Sequence, residues 1–593
     1  MNSIITCKTI TSRLMLTLAC LVSFSAIHAA NITVDGINYT TNATKKEATI
    51  AKYTIIKATD TTPADTLFYE GEIVIPEKIT YEGVEYTVVA TAANSFLDCR
   101  NLTSLTLPST CVTIGRNTFK GCSALMSSPI PSTVISVGSG VFNGCSSLEE
   151  VVIWPGWSKP ISEEFANCPN LKTLIIAPGD APVVMKVNAF GANAEARSAL
   201  ASIERIQMGR DVDASAYTNA EQPFHNMSGL KTLEIYGETS TIQGTTFQGC
   251  TALQTVTFQT GTVSSIGTSA FSGCTSLTSI DIPHAVTTIE QSVFNGCRNL
   301  QSVTMGDGVT SIGITAFYNT GLTAFTFPSA LTSIGQSAFE KSKLTGDIVL
   351  PEGLTSIATQ AFANTQLTGV AIPSTVTSIG QGAFAPIPNL ANITLAEGNT
   401  AFKLDNGVLL NAAGSRLLVS AHEGNLGSAY SSTTVTSIDN YGLAYAPFTS
   451  VDLPALATIG NYGFAYSNIE NFTLENNVNV GQNVFAGSAL KEIVIADGRN
   501  EIPQGLCAQC TILTSVTLPT TATNMMRNCF DGCTALEEME IPANVNYMEP
   551  GSVPATIQVL RVLNVNTPAL AAGVFNESQG NVICKVAPNS VEA

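Results

Sequence analysis

Ala270-Phe-Ser-Gly-Cys-Thr-Ser-Leu-Thr-Ser-Ile-Asp-Ile-Pro283 is one instance of a pattern that recurs along most of this 593-residue chain. Its phenylalanine belongs to a column. Phe96, Phe119, Phe142 and Phe165 are 23 residues apart, and Phe224, Phe247, Phe271, Phe294, Phe317, Phe339, Phe362 and Phe384 continue at 22 to 24. Phe464, Phe485 and Phe530 extend the column. Five residues before these anchors stands an apolar residue, usually isoleucine, as at Ile266, Ile289, Ile312 and Ile334. Five or six residues after them comes leucine, as at Leu102, Leu277, Leu300 and Leu322. The unit is therefore I-x4-F-x(4 or 5)-L, followed by an alternating stretch that often ends in proline.

One such unit cannot bury its own Phe, Ile and Leu, so successive copies must stack and share a core. Alternation at Leu102, Leu105 and Leu107, or at Leu277, Ile280 and Ile282, predicts a short strand after its first turn. Stacked in register, these strands form a parallel sheet. The V-T-S-I-G segments, such as Val309 to Gly313 and Val376 to Gly380, predict a second short strand. The segment from Ser337 to Phe339 and its equivalents predict a brief helical turn, too short to stand as an independent helix. The expected fold is thus a mainly β solenoid of coils of about 23 residues.

The repeated pattern resembles the BspA-like leucine-rich-repeat family of bacterial surface proteins, over most of residues 96 to 550. The resemblance implies a leucine-rich-repeat solenoid. It also implies a β-rich entry module covering the first coil, carried here by Asn31 to Asn94 with strands at Gly71-Glu-Ile-Val-Ile-Pro76 and Val84-Glu-Tyr-Thr-Val-Val89. Thr567-Pro-Ala-Leu570 and Val586-Ala-Pro-Asn-Ser590 look like the family's closing coil, without the tyrosine and basic tail that usually follow it, the pattern of a shortened end. The family is similar to extracellular adhesins and host-contact proteins.

The expected organisation is a signal peptide at 1–30, an N-terminal β-rich cap at 31–95 and repeats at 96–384 with an extended coil near 170–223. An extended coil follows at 385–442, where the Asp405-Asn-Gly407 turn predicts a hairpin, and 443–593 holds further repeats and the closing coil. The signal reading rests on Lys8 and Arg13, the apolar run from Leu14 to Ile27 and the small pair Ala29-Ala30. Lipid attachment at Cys20 is the alternative. Removing the signal leaves 25 basic against 45 acidic side chains. That balance argues against nucleic acid and anionic membranes as partners, because both call for a basic surface. No later stretch approaches the ~18 apolar residues of a transmembrane helix.

Cys99, Cys122, Cys145, Cys168, Cys250, Cys274, Cys297 and Cys533 all lie three residues after an anchor. Thr320, Ser342, Thr365, Ser467, Ser488, Met227 and Ile387 take the same slot in other coils, which reads as a packing position holding free thiols, ahead of disulfides or metal. Cys507-Ala-Gln-Cys510 is formally a CxxC, but its members fall in the anchor and cysteine columns. Asp211-Val-Asp213-Ala-Ser215 offers alternating oxygens as a calcium loop would, without the loop's glycine and terminal carboxylate. No HExxH, GxSxG or GxxxxGK[ST] occurs, so no enzyme, cofactor or metal site is expected.

Aromatic residues outside the core columns are the candidates for recognition. Trp154-Pro-Gly-Trp157 holds both tryptophans and departs from the usual strand-proline-turn, so a side chain is expected at the coil edge. Tyr441 and Tyr462 are 21 apart, as are Tyr445 and Tyr466, which places each pair at equivalent positions of adjacent coils. Stacked tyrosines suit sugar rings or protein hot spots, and equally suit mutual support. The expectation is a secreted or cell-surface, non-enzymatic protein binding a protein or glycan of a host or neighbouring cell. The alternative is a structural component of the bacterial envelope with no external ligand.

Overall fold

The structure is a computed structural model that describes residues 30–53, 55–56, 65–66, 68–157, 159–186, 188–191, 199–213, 223–259, 263–422, 426–563, 568–574 and 583–586. The segment before residue 30, expected to be a signal peptide, and the part of the expected closing coil after residue 586 lie outside the described residues. The chain divides into two compact units, residues 1–286 with 296–300, and residues 287–295 with 301–593.

In the first unit, Ala30–Val34, Ile37–Asn42 and Glu47–Ile50 pair antiparallel, and Glu47–Ile50 then lies parallel to Val84–Thr91. Val84–Thr91 continues in parallel to Thr113–Ile114 and Ser136–Val137. A second sheet is the ladder Glu150–Ile153, Thr173–Ile176, Arg205–Met208, Thr232–Ile235, Thr255–Phe258, parallel throughout. Its register aligns Val151, Leu174, Ile206, Leu233 and Val256, every one buried. Alternation in the sequence thus becomes one inward row of side chains per strand position.

The second unit repeats the plan. Thr288–Ile289, Ser311–Ile312, Ser333–Ile334, Ser356–Ile357 and Ser378–Ile379 form a parallel ladder whose isoleucines are in register and buried. Phe402–Asp405 and Val408–Asn411 form an antiparallel hairpin through Asn406 (φ 46°) and Gly407 (φ 74°). Two successive positive φ values are what a two-residue hairpin turn requires. Arg416–Ser420 then pairs antiparallel to the hairpin and parallel to Ser437–Ile438, returning the chain to the coil plan.

The anchor segments differ from the expected helical turn. Among the described residues the one helical stretch is Ala199–Ser202, in the extended coil. Around Phe339, the amide of Ala338 donates to the Gly335 carbonyl, Glu340 to Ser337 and Ser342 to Phe339, at 3.0–3.3 Å. Ser337 (φ 52°) and Lys341 (φ 60°) are left-handed. Each occupies the third place of a four-residue turn, where a type II turn demands positive φ. Left-handed residues two before and two after the anchor interrupt any right-handed helix, so paired turns form instead. The same two positions are left-handed at Asn94 and Asp98 around Phe96, and at Asn117 and Gly121 around Phe119. Ser337, Phe339 and Lys341 donate in turn to the carbonyls of Thr359, Ala361 and Ala363 in the next coil, at 2.8–3.0 Å. The anchor segment is therefore a third inter-coil ladder, and it holds each ring in place.

Within each unit the rings stack. Phe119–Phe142 (5.6 Å between centroids) and Phe224–Phe247 (5.5 Å) are examples in the first, and Phe294–Phe317 (5.5 Å), Phe339–Phe362 (5.3 Å) and Phe362–Phe384 (5.4 Å) in the second. The cysteine column has a function beyond packing. Cys122, Cys145, Cys168, Cys250 and Cys274 each donate Sγ–H to the anchor carbonyl of the preceding coil, at 3.0–3.3 Å. Thr320, Thr365 and Ser467 instead bond the anchor carbonyl of their own coil. The slot thus favours a small side chain with one donor, which both thiol and hydroxyl supply. The twelve cysteines whose side chains are described are all buried and free. Burial pushes the thiols of Cys168, Cys250 and Cys297 up to about 12. Cys510 is the exception, lowered by a hydrogen bond from the Cys507 thiol.

Two outcomes follow from this packing. Phe294 is fully buried, so Phe294→Ala should cost about 3–5 kcal/mol through the cavity it leaves, read as a shifted denaturation transition. An unchanged transition would refute the shared ring column. Because the thiolate is the reactive form, iodoacetamide should leave Cys274 and Cys297 unmodified until denaturant is added; recovery of an intact Cys274–Cys297 disulfide by mass spectrometry would contradict the donor role.

Candidate functional site

Tyr441 and Tyr445 flank the anchor Leu443, and Tyr462 and Tyr466 flank the anchor Phe464. All four occupy the left-handed positions of their coils, with φ of 58°, 60°, 58° and 59°. Elsewhere these positions carry residues such as Asn, Ser, Thr or Gly, as at Asn319, Ser269, Thr245 and Gly273, or an unbranched polar chain, as at Glu163, Lys341, Gln360 and Gln509, and among the described residues no other aromatic ring. A bulky residue there is a true outlier, held at a strain of about 1–3 kcal/mol. The backbone ladder enforces it: Tyr441 N–H donates to Asn461 O, Tyr445 to Ala465, Tyr462 to Gln482 and Tyr466 to Ala486, at 2.9–3.0 Å.

The rings form two short stacks. Tyr441 and Tyr462 lie 4.8 Å apart and parallel within 1°, while Tyr445 and Tyr466 lie 5.0 Å apart at 15°. His422 extends the second stack, 5.5 Å from Tyr445, with Nδ1 3.1 Å from the Pro388 carbonyl. At the other end Gly487 takes the position that Tyr445 and Tyr466 hold in their coils, at φ 66°. A Cβ there would stand 2.7 Å from the Tyr466 ring, so glycine lets the ring lie against the backbone. Tyr466 is half exposed, and Tyr441, Tyr445 and Tyr462 are partly buried. Burial raises the Tyr441 phenol to about 12 and also raises Tyr445, so both keep their hydroxyl protons at neutral pH.

An ion pair with a buried carboxylate and a half-exposed guanidinium supports the first turn. Arg416 Nε and Nη2 donate to Asp439 Oδ1 and Oδ2 at 2.8 and 2.7 Å, and the Asp439 carbonyl accepts from Gly442 N–H beside Tyr441. His422 and Arg416 were not legible as parts of this surface, since both come from the irregular coil before it.

The expectation of an accessible Trp157 is overturned. Trp157 is 5% exposed and packs against Phe142 (6.3 Å) and Phe165 (6.1 Å). Its amide donates to the Trp154 carbonyl across the Pro-Gly turn, and Gly156 sits against Val134 O so closely that no side chain would fit. That tight turn swings Trp157 inward to join the ring column. Trp154 is half-buried, donates Nε1–H to the Ile130 carbonyl and receives Arg210 Nη2 on its own carbonyl, both at 2.9 Å. The acidic loop is likewise structural where it is described: Asp211 accepts from the Ser240 amide and hydroxyl and from the Thr241 amide at 2.7–2.9 Å. Cys507 fills an anchor position, and Cys510 donates to the Phe485 carbonyl at 3.0 Å.

No curated protein matches the chain. Among solved structures it is similar to a leucine-rich repeat protein from Eubacterium ventriosum, at 24% identity over 47% of this chain and 82% of that one, with a TM-score of 0.41. It is also similar to a leucine rich cell surface protein from Faecalibacterium prausnitzii (17% identity, 95% and 98% covered, TM-score 0.23) and to the pneumococcal vaccine antigen PcpA (14%, 91% and 94%, TM-score 0.27). No ligand or role passes from them to this chain at such likeness. The coil plan itself matches the description "BspA type Leucine rich repeat region" over residues 77–193, 218–345, 310–406 and 425–555, and the chain therefore belongs to the BspA-type leucine-rich-repeat family.

Proposed function

We propose that this chain is an exported, non-enzymatic binding protein whose tyrosine surface at Tyr441, Tyr445, Tyr462 and Tyr466 docks onto a protein of a host or neighbouring cell. The observation that carries the reading is the placement of four bulky rings at left-handed positions of two adjacent coils. Ring pairs contribute about 0.5–1.5 kcal/mol each, less than the strain of seating two tyrosines where asparagine or glycine would rest easily.

The stacking geometry also speaks to the ligand. Parallel rings 4.8 and 5.0 Å apart cover each other's facing sides. A sugar that binds by laying its ring on an aromatic face finds few free faces here. A protein surface that packs against ring edges and accepts phenol hydrogen bonds fits better. Family membership supports a repeat scaffold that binds, and no helix among the described residues is long and apolar enough to cross a membrane.

The test is binding of the full chain to a panel of extracellular-matrix proteins and to a glycan array, at low and high salt. Tyr445→Ala and Tyr466→Ala should each weaken protein binding by about 2 kcal/mol, roughly thirty-fold, with little change in the denaturation midpoint. Unchanged affinity in both variants would remove the tyrosine surface from the interface, and absence of any ligand would favour the envelope-scaffold reading. Gly487→Ala places a methyl group against the Tyr466 ring at positive φ, so it should cost about 1–3 kcal/mol of stability and displace that ring.

A further inference from the structure

In the first unit the short-strand ladder is broken. Thr113–Ile114 pairs with Ser136–Val137, but among the described residues no strand follows Ser136–Val137 on its other side. The next short-strand contact is the bridge between Ile161 and Met185. The Trp154-Pro-Gly-Trp157 turn occupies the gap, and a cleft of about 600 Å³ opens beside it. That volume falls within the ~300–1,000 Å³ of small-ligand sites.

The cleft concentrates exceptions to the coil plan. Glu164 stands immediately before an anchor, a buried column otherwise held by small residues such as Ser95, Thr118, Ala189 and Ala270. It is 3% exposed. One carboxylate oxygen accepts from the Gly140 amide at 3.3 Å and the other from the Ser162 amide. Burial raises its carboxyl to about 7, and none of the neighbouring cations contributes to that shift. Trp157, in the cleft wall, has a buried indole N–H with no hydrogen-bond partner. An orphan donor of this kind costs about 1–3 kcal/mol and calls for an acceptor.

Charge supplies an independent sign. Arg116, Lys159 and Lys186 line the same cleft and are exposed. None of the three is in an ion pair among the described residues, although the chain carries 45 acidic side chains against 27 basic ones. Three unpaired cations converging on one concavity of so acidic a protein form a local reversal of its field. Hydroxyl and backbone groups of Ser136 to Ser139 complete the wall.

We propose that this cleft binds an acidic saccharide, its carboxylate held by Arg116, Lys159 and Lys186 and its hydroxyls by Glu164, the Trp157 indole N–H and the open strand edge. An acidic peptide added as a strand is the poorer fit, because a two-residue edge offers too few ladder bonds to hold it. The site is separate from the tyrosine surface, which belongs to the other unit, so either can fail alone.

Trp157 lines the cleft and the chain has only one other tryptophan, Trp154, which gives a direct readout. In full-length Trp154→Phe, Trp157 emission should change saturably with 3′-sialyllactose or trigalacturonate and respond at least ten-fold more weakly to lactose. Lys159→Ala combined with Lys186→Ala should weaken the acidic sugars at least ten-fold, and added salt should do the same in direction. Trp157→Phe keeps a ring between Phe142 and Phe165 but removes the donor, so it should lower affinity several-fold with the denaturation midpoint held. Calorimetry on the unsubstituted chain provides a second measurement, should Trp154→Phe perturb the turn. No calorimetric binding of either acidic sugar, equal binding of lactose, or tighter binding of a hexaglutamate peptide would overturn the proposal.

Discussion

A coil of this protein can bury its anchor ring only against the rings of its neighbours, and the backbone around the ring is shaped to make that possible. The left-handed residues two places before and after Phe339 turn the chain tightly, and the alternate amides between them point to the next coil. The ring is thereby fixed by covalent geometry on both sides and by hydrogen bonds above. The carbonyl of the anchor is in turn capped by the thiol of the following coil, as Cys274 caps Phe247, or by a hydroxyl three residues on in its own coil, as Thr365 caps Phe362. Each coil thus depends on the next for both its apolar and its polar satisfaction.

The columns of Phe, Ile and Leu were readable because one chain supplies many copies of each position, and repetition separates a structural requirement from a local accident. The helical turn was misread for a physical reason. Its sequence is short and its apolar residue is single, so periodicity carries no information there. The informative signal was the recurrence of Gly or Asn beside the anchor, at Gly121, Gly249 and Gly273 after it and Asn94 and Asn117 before it. Those residue types tolerate positive φ, and two such columns four residues apart exclude a helix. Trp157 was misplaced because spacing alone put it outside the columns, whereas the proline-glycine turn folds it back in. Gly156, with no room for a side chain, was the residue that recorded this close approach.

The two proposed recognition surfaces share a logic that spacing could not show. Tyr441 and Tyr462 were legible as a pair from their 21-residue separation, but not as strained residues. Glu164 was not singled out, although a carboxylate in a column of alanine, serine, threonine and valine breaks the local rule as plainly. At Glu164 the fold accepts a cost that its other coils avoid, and at the tyrosines it seats rings where its other coils carry none. Exceptions of this type collect where a protein does something besides fold.

The repeat also explains how such surfaces arise. Anchor, isoleucine and leucine columns are confined to the interior, where a change of volume is felt by two neighbours at once. The flanking left-handed positions are constrained only in backbone, and what they display is free to vary within each coil. Because coils stack about 5 Å apart, as the tyrosine pairs record, placing the same aromatic in two successive coils yields a stack without further rearrangement. A neighbouring glycine, as at Gly487, ends the stack and leaves its last ring half exposed. Recognition can therefore be written into this fold one coil at a time, at positions whose backbone the interior has already fixed.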